Sequence, residues 1–146
     1  MLELYPSFGI GSFNSVISPG LGIHVDLVFL NKHRLPIYKL GSSATFYALG
    51  EYENLQFKNV YAATSLDLRL MKNLTPKTVK PLWLGFLFGR LRTGDIQDAA
   101  GQKPSLHDRI KFGIAAEIGS VAVDYSFIPA TSTQASLRNI TFRFRF

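Results

Sequence analysis

The sequence predicts an all-β protein: one domain over residues 1–146, folded as an eight-stranded antiparallel up-and-down barrel. Three observations predict it. Alternation of apolar with small or polar side chains recurs in eight segments, the period of a strand with two unlike faces. No apolar repeat at helical spacing interrupts the series, and no linker divides it. An even set of strands joined in order closes most simply into a barrel, which leaves no unpaired edge.

The first segment, Leu2 to Phe13, puts Leu2, Leu4, Phe8 and Ile10 opposite Glu3, Tyr5, Ser7, Gly9 and Gly11. "NSVISPG" reads as a turn. The second segment, Leu21 to Leu30, sets Leu21, Ile23, Val25, Leu27 and Phe29 against Gly22, His24 and Asp26, and "NKHRLP" ends it. The third, Ile37 to Tyr52, sets Tyr38, Leu40, Ala44, Phe46, Ala48 and Tyr52 against Lys39, Gly41, Ser43, Thr45, Tyr47 and Glu51. After a tight turn near Glu53 and Asn54, the fourth puts Val60, Ala62, Leu66, Leu68 and Leu70 opposite Asn59, Tyr61, Ser65, Asp67 and Arg69.

"KNLTPKTVKP" is a basic, proline-bounded break. In the fifth segment, Leu82 to Arg92, the alternation weakens: Leu82, Leu84, Phe86 and Phe88 share a face, but Trp83 and Leu87 join Gly85 and Gly89 on the other. A long polar loop, Thr93 to Asp108, follows. The sixth segment sets Ile110, Phe112, Ile114, Ala116 and Ile118 against Arg109, Lys111, Gly113, Ala115 and Glu117. "GS" is a minimal hairpin turn. The seventh sets Val121, Val123, Tyr125 and Phe127 against Ala122, Asp124 and Ser126, and the eighth is "LRNITFRFRF".

Composition decides which face points inward. Hydrophobic residues make up 47% of the chain and charged residues 18%, against about 25% in an ordinary soluble domain, and mean hydropathy is +0.12. No stretch of about 18 uncharged apolar residues forms a transmembrane helix. The bulky aromatics collect on one face and Gly, Ser, Ala and Thr on the other, with a few charges of both signs. Small residues fit the crowded interior of a narrow barrel, and bulky apolar ones fit a hydrocarbon exterior. The expectation is therefore a transmembrane barrel with its polar face in the lumen and no large pore. Glu3, His24, Asp26, Lys39, Asp67, Arg69, Lys111, Glu117, Asp124, Arg143 and Arg145 form the expected lumen charge network, together with Glu51. Opposite charges in near-equal number are what a dry lumen requires.

"NITFRFRF" resembles the C-terminal signature of bacterial outer-membrane β-barrels, in which alternating apolar residues end on an aromatic. The resemblance implies that Ile140, Phe142, Phe144 and Phe146 form an assembly signal read by the outer-membrane assembly machinery. The whole chain resembles the small OmpA- and OmpX-type barrels in size and segment number. Residues 109–146 resemble the last hairpins of PorV-like outer-membrane proteins of Bacteroidota. These resemblances imply an outer-membrane location, contact with outer-membrane lipid and lipopolysaccharide, and a place beside a larger outer-membrane complex. "MLELYPSFGIG" has no signal-peptide pattern, so the expectation is a mature chain with both termini in the periplasm.

Catalytic and metal-binding readings are weak. His24 and Asp26 share a face two residues apart, as an oriented catalytic pair would, but a lumen hydrogen-bond network is the expected reading. Ser105, His107 and Asp108 lie close together in the long loop without a matching motif. His24, His33 and His107 lack ligand spacing, and cysteine is absent, so no metal or other cofactor is expected. The basic turns carry Lys32, His33, Arg34, Lys72, Lys77 and Lys80, and suit anionic headgroups or a periplasmic partner. Nucleic acid is not an expected partner, because the aromatics and the charges occupy opposite faces. The expected role is structural or accessory. A lipid A-modifying enzyme, a narrow channel and a soluble lipocalin-type barrel remain as alternatives.

Overall fold

The computed structural model describes residues 1–13, 16–53, 56–95, 107–132 and 136–146, with the side chains of all of these except 13, 16–17, 49–53, 56–62, 94–95 and 107. Eight strands follow in chain order: β1 (Leu2–Phe13), β2 (Val16–Leu30), β3 (Pro36–Glu53), β4 (Gln56–Asn73), β5 (Leu82–Asp95), β6 (His107–Ile118), β7 (Val121–Ile128) and β8 (Leu137–Arg145). Each pairs antiparallel with its neighbours in sequence, and β1 pairs with β8 to close the barrel. The closing seam sets Phe8 opposite Phe144 and Ile10 opposite Phe142.

The apolar face is outside. Leu2, Leu4, Leu21, Ile23, Phe46, Leu66, Leu70, Phe86, Phe88 and Ile110 are all exposed, while the alternate positions are buried. A water-soluble barrel would invert this arrangement, so the lipocalin-type alternative fails on the direction of the side chains.

The turns at the end holding Met1 and Phe146 are short and wired by their own side chains. Asn31 Oδ1 accepts from the backbone N–H of His33 (2.8 Å) and of Leu35 (3.0 Å), and Arg34 takes a left-handed φ of 59° between them. Asn73 Oδ1 accepts from Thr75 N–H (2.9 Å), and Thr75 Oγ1 accepts from Leu82 N–H (2.8 Å). In the β6–β7 hairpin Gly119 has φ of 57°, the conformation that a two-residue loop with glycine first requires.

One expected turn is strand instead. "NSVISPG" was read from its Pro and Gly, yet β2 already begins at Val16 and runs through Pro19 and Gly20. Pro19 is tolerated because its described ladder partner is Ile10 on β1 alone. The β2–β3 ladder begins only at Gly20, so the missing N–H removes no ladder bond there. β4 likewise extends into the expected break as far as Asn73, and β5 extends three residues into the expected loop.

Candidate functional site

The lumen is built in layers. At the turn end Val28, Met71, Trp83 and Ala115 form an apolar plug. At the other end Tyr47, Ala63, Leu91 and Ile128 form a second plug, with Leu137 packed against it. The expectation of a lumen filled by polar side chains needs this correction. Of the inward apolar residues of β5, Trp83 and Leu91 cap the two ends of the barrel, and Leu87, which with Trp83 blurs the alternation, is buried between them.

Between the plugs lie two tiers of charge. In the tier nearer the turn end, Lys39 Nζ pairs with Glu117 (2.6 Å) and Asp26 (3.4 Å). Arg145 reaches Glu117 (3.0 Å), Asp26 (3.3 Å) and Glu3 (3.6 Å). Lys39 also lies 4.8 Å from the Trp83 ring centre, and the Arg145 guanidinium 4.0 Å from that of Tyr5. Both cations thus rest on aromatic faces, whose quadrupole favours positive charge.

In the second tier Asp124 sits between two arginines. It accepts from Arg69 Nη2 at 2.7 Å and from Arg143 Nε at 2.8 Å. Arg143 Nη2 donates to its other oxygen at 3.0 Å, which makes a two-pronged pair. Arg69 also donates to Ser43 Oγ (2.7 Å), and Lys111 pairs with Asp67 (2.8 Å). Every one of these groups but Arg145 and Glu3 is buried.

The tiers carry opposite charge. Glu3, Asp26 and Glu117 outnumber Lys39 and Arg145 in the first; Arg69, Lys111 and Arg143 outnumber Asp67 and Asp124 in the second. The charges of these ten groups sum to zero, as burial in low dielectric favours; Arg109, a further buried cation, lies beside Leu91 near the other end.

Tyr5 and His24 link the tiers. Their rings stack at 5.1 Å with 5° between planes. Tyr5 Oη donates to Asp26 (2.8 Å), and Arg143 Nη1 lies 3.3 Å from His24 Nδ1. Arginine can only donate, so Nδ1 accepts and the imidazole hydrogen sits on Nε2. Asp26 therefore holds Tyr5, Lys39 and Arg145, while His24 is positioned by an arginine rather than by a carboxylate.

Glycines make room for the longest side chains. A Cβ at Gly41 would stand 2.6 Å from Asp26 Oδ1, and one at Gly89 would collide with Asp67 Oδ1 and crowd Lys111 Cε. The Lys111–Asp67 pair thus crosses the wall position that Gly89 leaves open.

The four aromatic-signature positions point outward: Ile140, Phe142, Phe144 and Phe146 are all exposed on the outer wall. Ser105 and the side chains of Glu51, Tyr52 and His107 lie outside the described residues. Sequence reasoning passed over Arg90 and Arg92, which also point outward, at the end of the barrel away from the turns. Asp108 of β6 accepts from Arg90 Nη2 (2.6 Å) and Nε (3.2 Å), and from Arg92 Nη2 (3.4 Å). The signal was present: Arg90 and Arg92 continue the alternation of Leu84, Phe86 and Phe88.

The chain is similar to the Yersinia pestis outer membrane protein Ail in a phospholipid bilayer nanodisc, with a TM-score of 0.54 and 14% identity, covering 99% of this chain and 100% of that one. It is also similar to Neisserial surface protein A, with a TM-score of 0.59 and 12% identity, covering 99% of this chain and 96% of that one. The fold is that of the small outer-membrane barrels. No protein-family model matches the sequence, and no curated protein matches it.

Proposed function

We propose that this chain is an integral outer-membrane barrel with a structural or accessory role, that it conducts nothing and catalyses nothing, and that it acts through its outer surface. One observation carries the reading: the wall is apolar outside, while the lumen is closed by two apolar plugs and a neutral ion-pair network between them. A hydrocarbon exterior requires full closure of the backbone ladder, which the β1–β8 seam supplies. An interior so filled leaves no water column for ions or solutes.

The turn end would lie in the periplasm. Its turns carry Lys32, Arg34, Lys77 and Lys80 and no carboxylate, which suits anionic headgroups or an acidic periplasmic partner. Ile140, Phe142, Phe144 and Phe146 would be the segment that the assembly machinery reads. The resemblance of residues 109–146 to PorV-like hairpins supports a place beside a larger outer-membrane complex.

The test has two parts. In planar bilayers the folded protein gives no unitary conductance, and on gels it migrates differently before and after heating. Stable, ohmic single-channel steps would overturn the sealed-lumen reading. Folding as a monodisperse monomer without detergent or lipid would overturn the membrane reading. Recovery from native membranes with a constant partner, lost on mutation of the outer wall, is the result expected of an accessory subunit.

A further inference from the structure

On the outer wall, two rows of side chains cross the strands side by side. One runs Ile23, Ala44, Leu66, Arg90 and the other Val25, Ser42, Leu68, Phe88, each residue in register with the next. Ser42 and Ala44 stand where their neighbours carry large apolar groups, so the wall dips along β3. The result is a groove of ≈ 700 Å³ on the outer surface. It abuts a second depression lined by Thr64, Leu66, Arg90, Arg92 and Asp108, and Leu66 and Arg90 border both. An apolar trough therefore runs into a guanidinium pair.

Among the described residues, the charges at its head are only partly satisfied. Arg90 and Arg92 have side chains 66% and 61% exposed, and Asp108 balances only one of the two. Among the described residues, Arg90 gives two N–H groups to Asp108 and keeps the rest of its fork free, and Arg92 makes one long contact. Hydrocarbon offers nothing to these donors. A phosphate offers several acceptor oxygens and a charge opposite to the local net charge.

We infer that the groove and its arginine head form a binding site for a single phosphorylated membrane lipid, with an acyl chain lying over Ser42 and Ala44 and the phosphate on Arg90 and Arg92. Asp108 is the positioning residue, fixing the Arg90 fork so that its free edge faces the headgroup. This inference rests on the membrane reading above, and deepens it by naming the lipid chemistry and the wall that selects it.

The test uses the full chain folded in micelles doped with bisphosphorylated lipid A, with the same lipid stripped of its phosphates, or with phosphatidylcholine. Retained lipid is counted by native mass spectrometry. One lipid is retained per barrel, and the phosphorylated form is preferred about fivefold, the effect of one net positive charge at a lipid surface. The double variant R90M/R92M abolishes the preference. Ala44→Leu fills the groove, leaves the charges untouched and lowers retention of both glycolipids. Inorganic phosphate at millimolar concentration does not compete.

Equal retention of the phosphorylated and stripped lipids by the unmodified chain would overturn the inference. So would displacement by inorganic phosphate alone, or a photocrosslinker at position 42 that captures a protein and no lipid in whole cells. Heat-dependent gel migration is recorded for each variant. Its loss in the unmodified chain counts against the membrane reading itself, whereas its retention without lipid selection counts against the groove alone.

Discussion

β5 and β8 each contain a run in which arginine alternates with a large apolar residue, "GRLRTG" in one and "TFRFRF" in the other, and they present it in opposite ways. In β8 the arginines enter the lumen and the phenylalanines face out. In β5 Arg90 and Arg92 face out, and Leu91 is buried in a plug. The difference lies in what each strand meets. Arg143 lies opposite Gly9 on β1 and Ala122 on β7, small neighbours that leave space, and it finds Asp124 two residues further along β7. At the same end as Arg90, the inward Leu91 of β5 packs with Tyr47, Ala63 and Ile128 instead. An alternating pattern thus states that two faces differ; the groups that each face meets decide which is inside.

The largest effect expected on this contrast comes from the acceptor that holds the β8 arginine in place. Asp124→Ala leaves Arg69 and Arg143 buried without their shared carboxylate, and lowers stability by about 3–5 kcal/mol in denaturant titrations of the lipid-reconstituted barrel. Next is a transplant of the β5 charge into the middle of its own outer row. Phe86→Arg is expected to cost about 2–4 kcal/mol, the penalty of a charge near the bilayer midplane, and Arg90, two turns of the pleat nearer the other end, is expected to cost less. An equal, near-zero cost at both positions would mean that the wall is not in hydrocarbon.

A smaller effect follows from crowding the lumen wall. Gly89→Val pushes against Asp67 and Lys111 and destabilises by about 1–3 kcal/mol, read by the temperature at which the gel shift is lost. The smallest belongs to the outward arginine. Arg90→Met changes stability by less than about 1 kcal/mol, because its pair with Asp108 is largely exposed. A loss as large as that of Asp124→Ala would erase the distinction between the two arginine runs.

The barrel was legible in the sequence because a two-residue period repeated eight times needs no partner to be seen. The inward set, including His24, Asp26, Arg69 and Asp124, followed from the same period. Their pairing did not: Arg145 and Asp26 are 119 positions apart, and only closure brings them together. Trp83, Met71 and Leu91 were not read as plugs, because an apolar residue on a polar face looks like a lapse in the pattern until the opposite wall is known. Pro19 misled for a related reason. Proline marks a turn by default, and its tolerance in β2 depends on where the β3 ladder starts.

The ion network has a consequence for how the barrel comes into being. Arg69 on β4 needs Asp124 on β7, Lys39 on β3 needs Glu117 on β6, and Arg145 on β8 needs Asp26 on β2. Neighbouring strands supply part of the network, as Asp26 of β2 does for Lys39 of β3 and Asp124 of β7 for Arg143 of β8, but a partly inserted sheet would leave the three longer-range contacts unmade. A share of the stability then arrives only on closure, which favours cooperative entry into the bilayer.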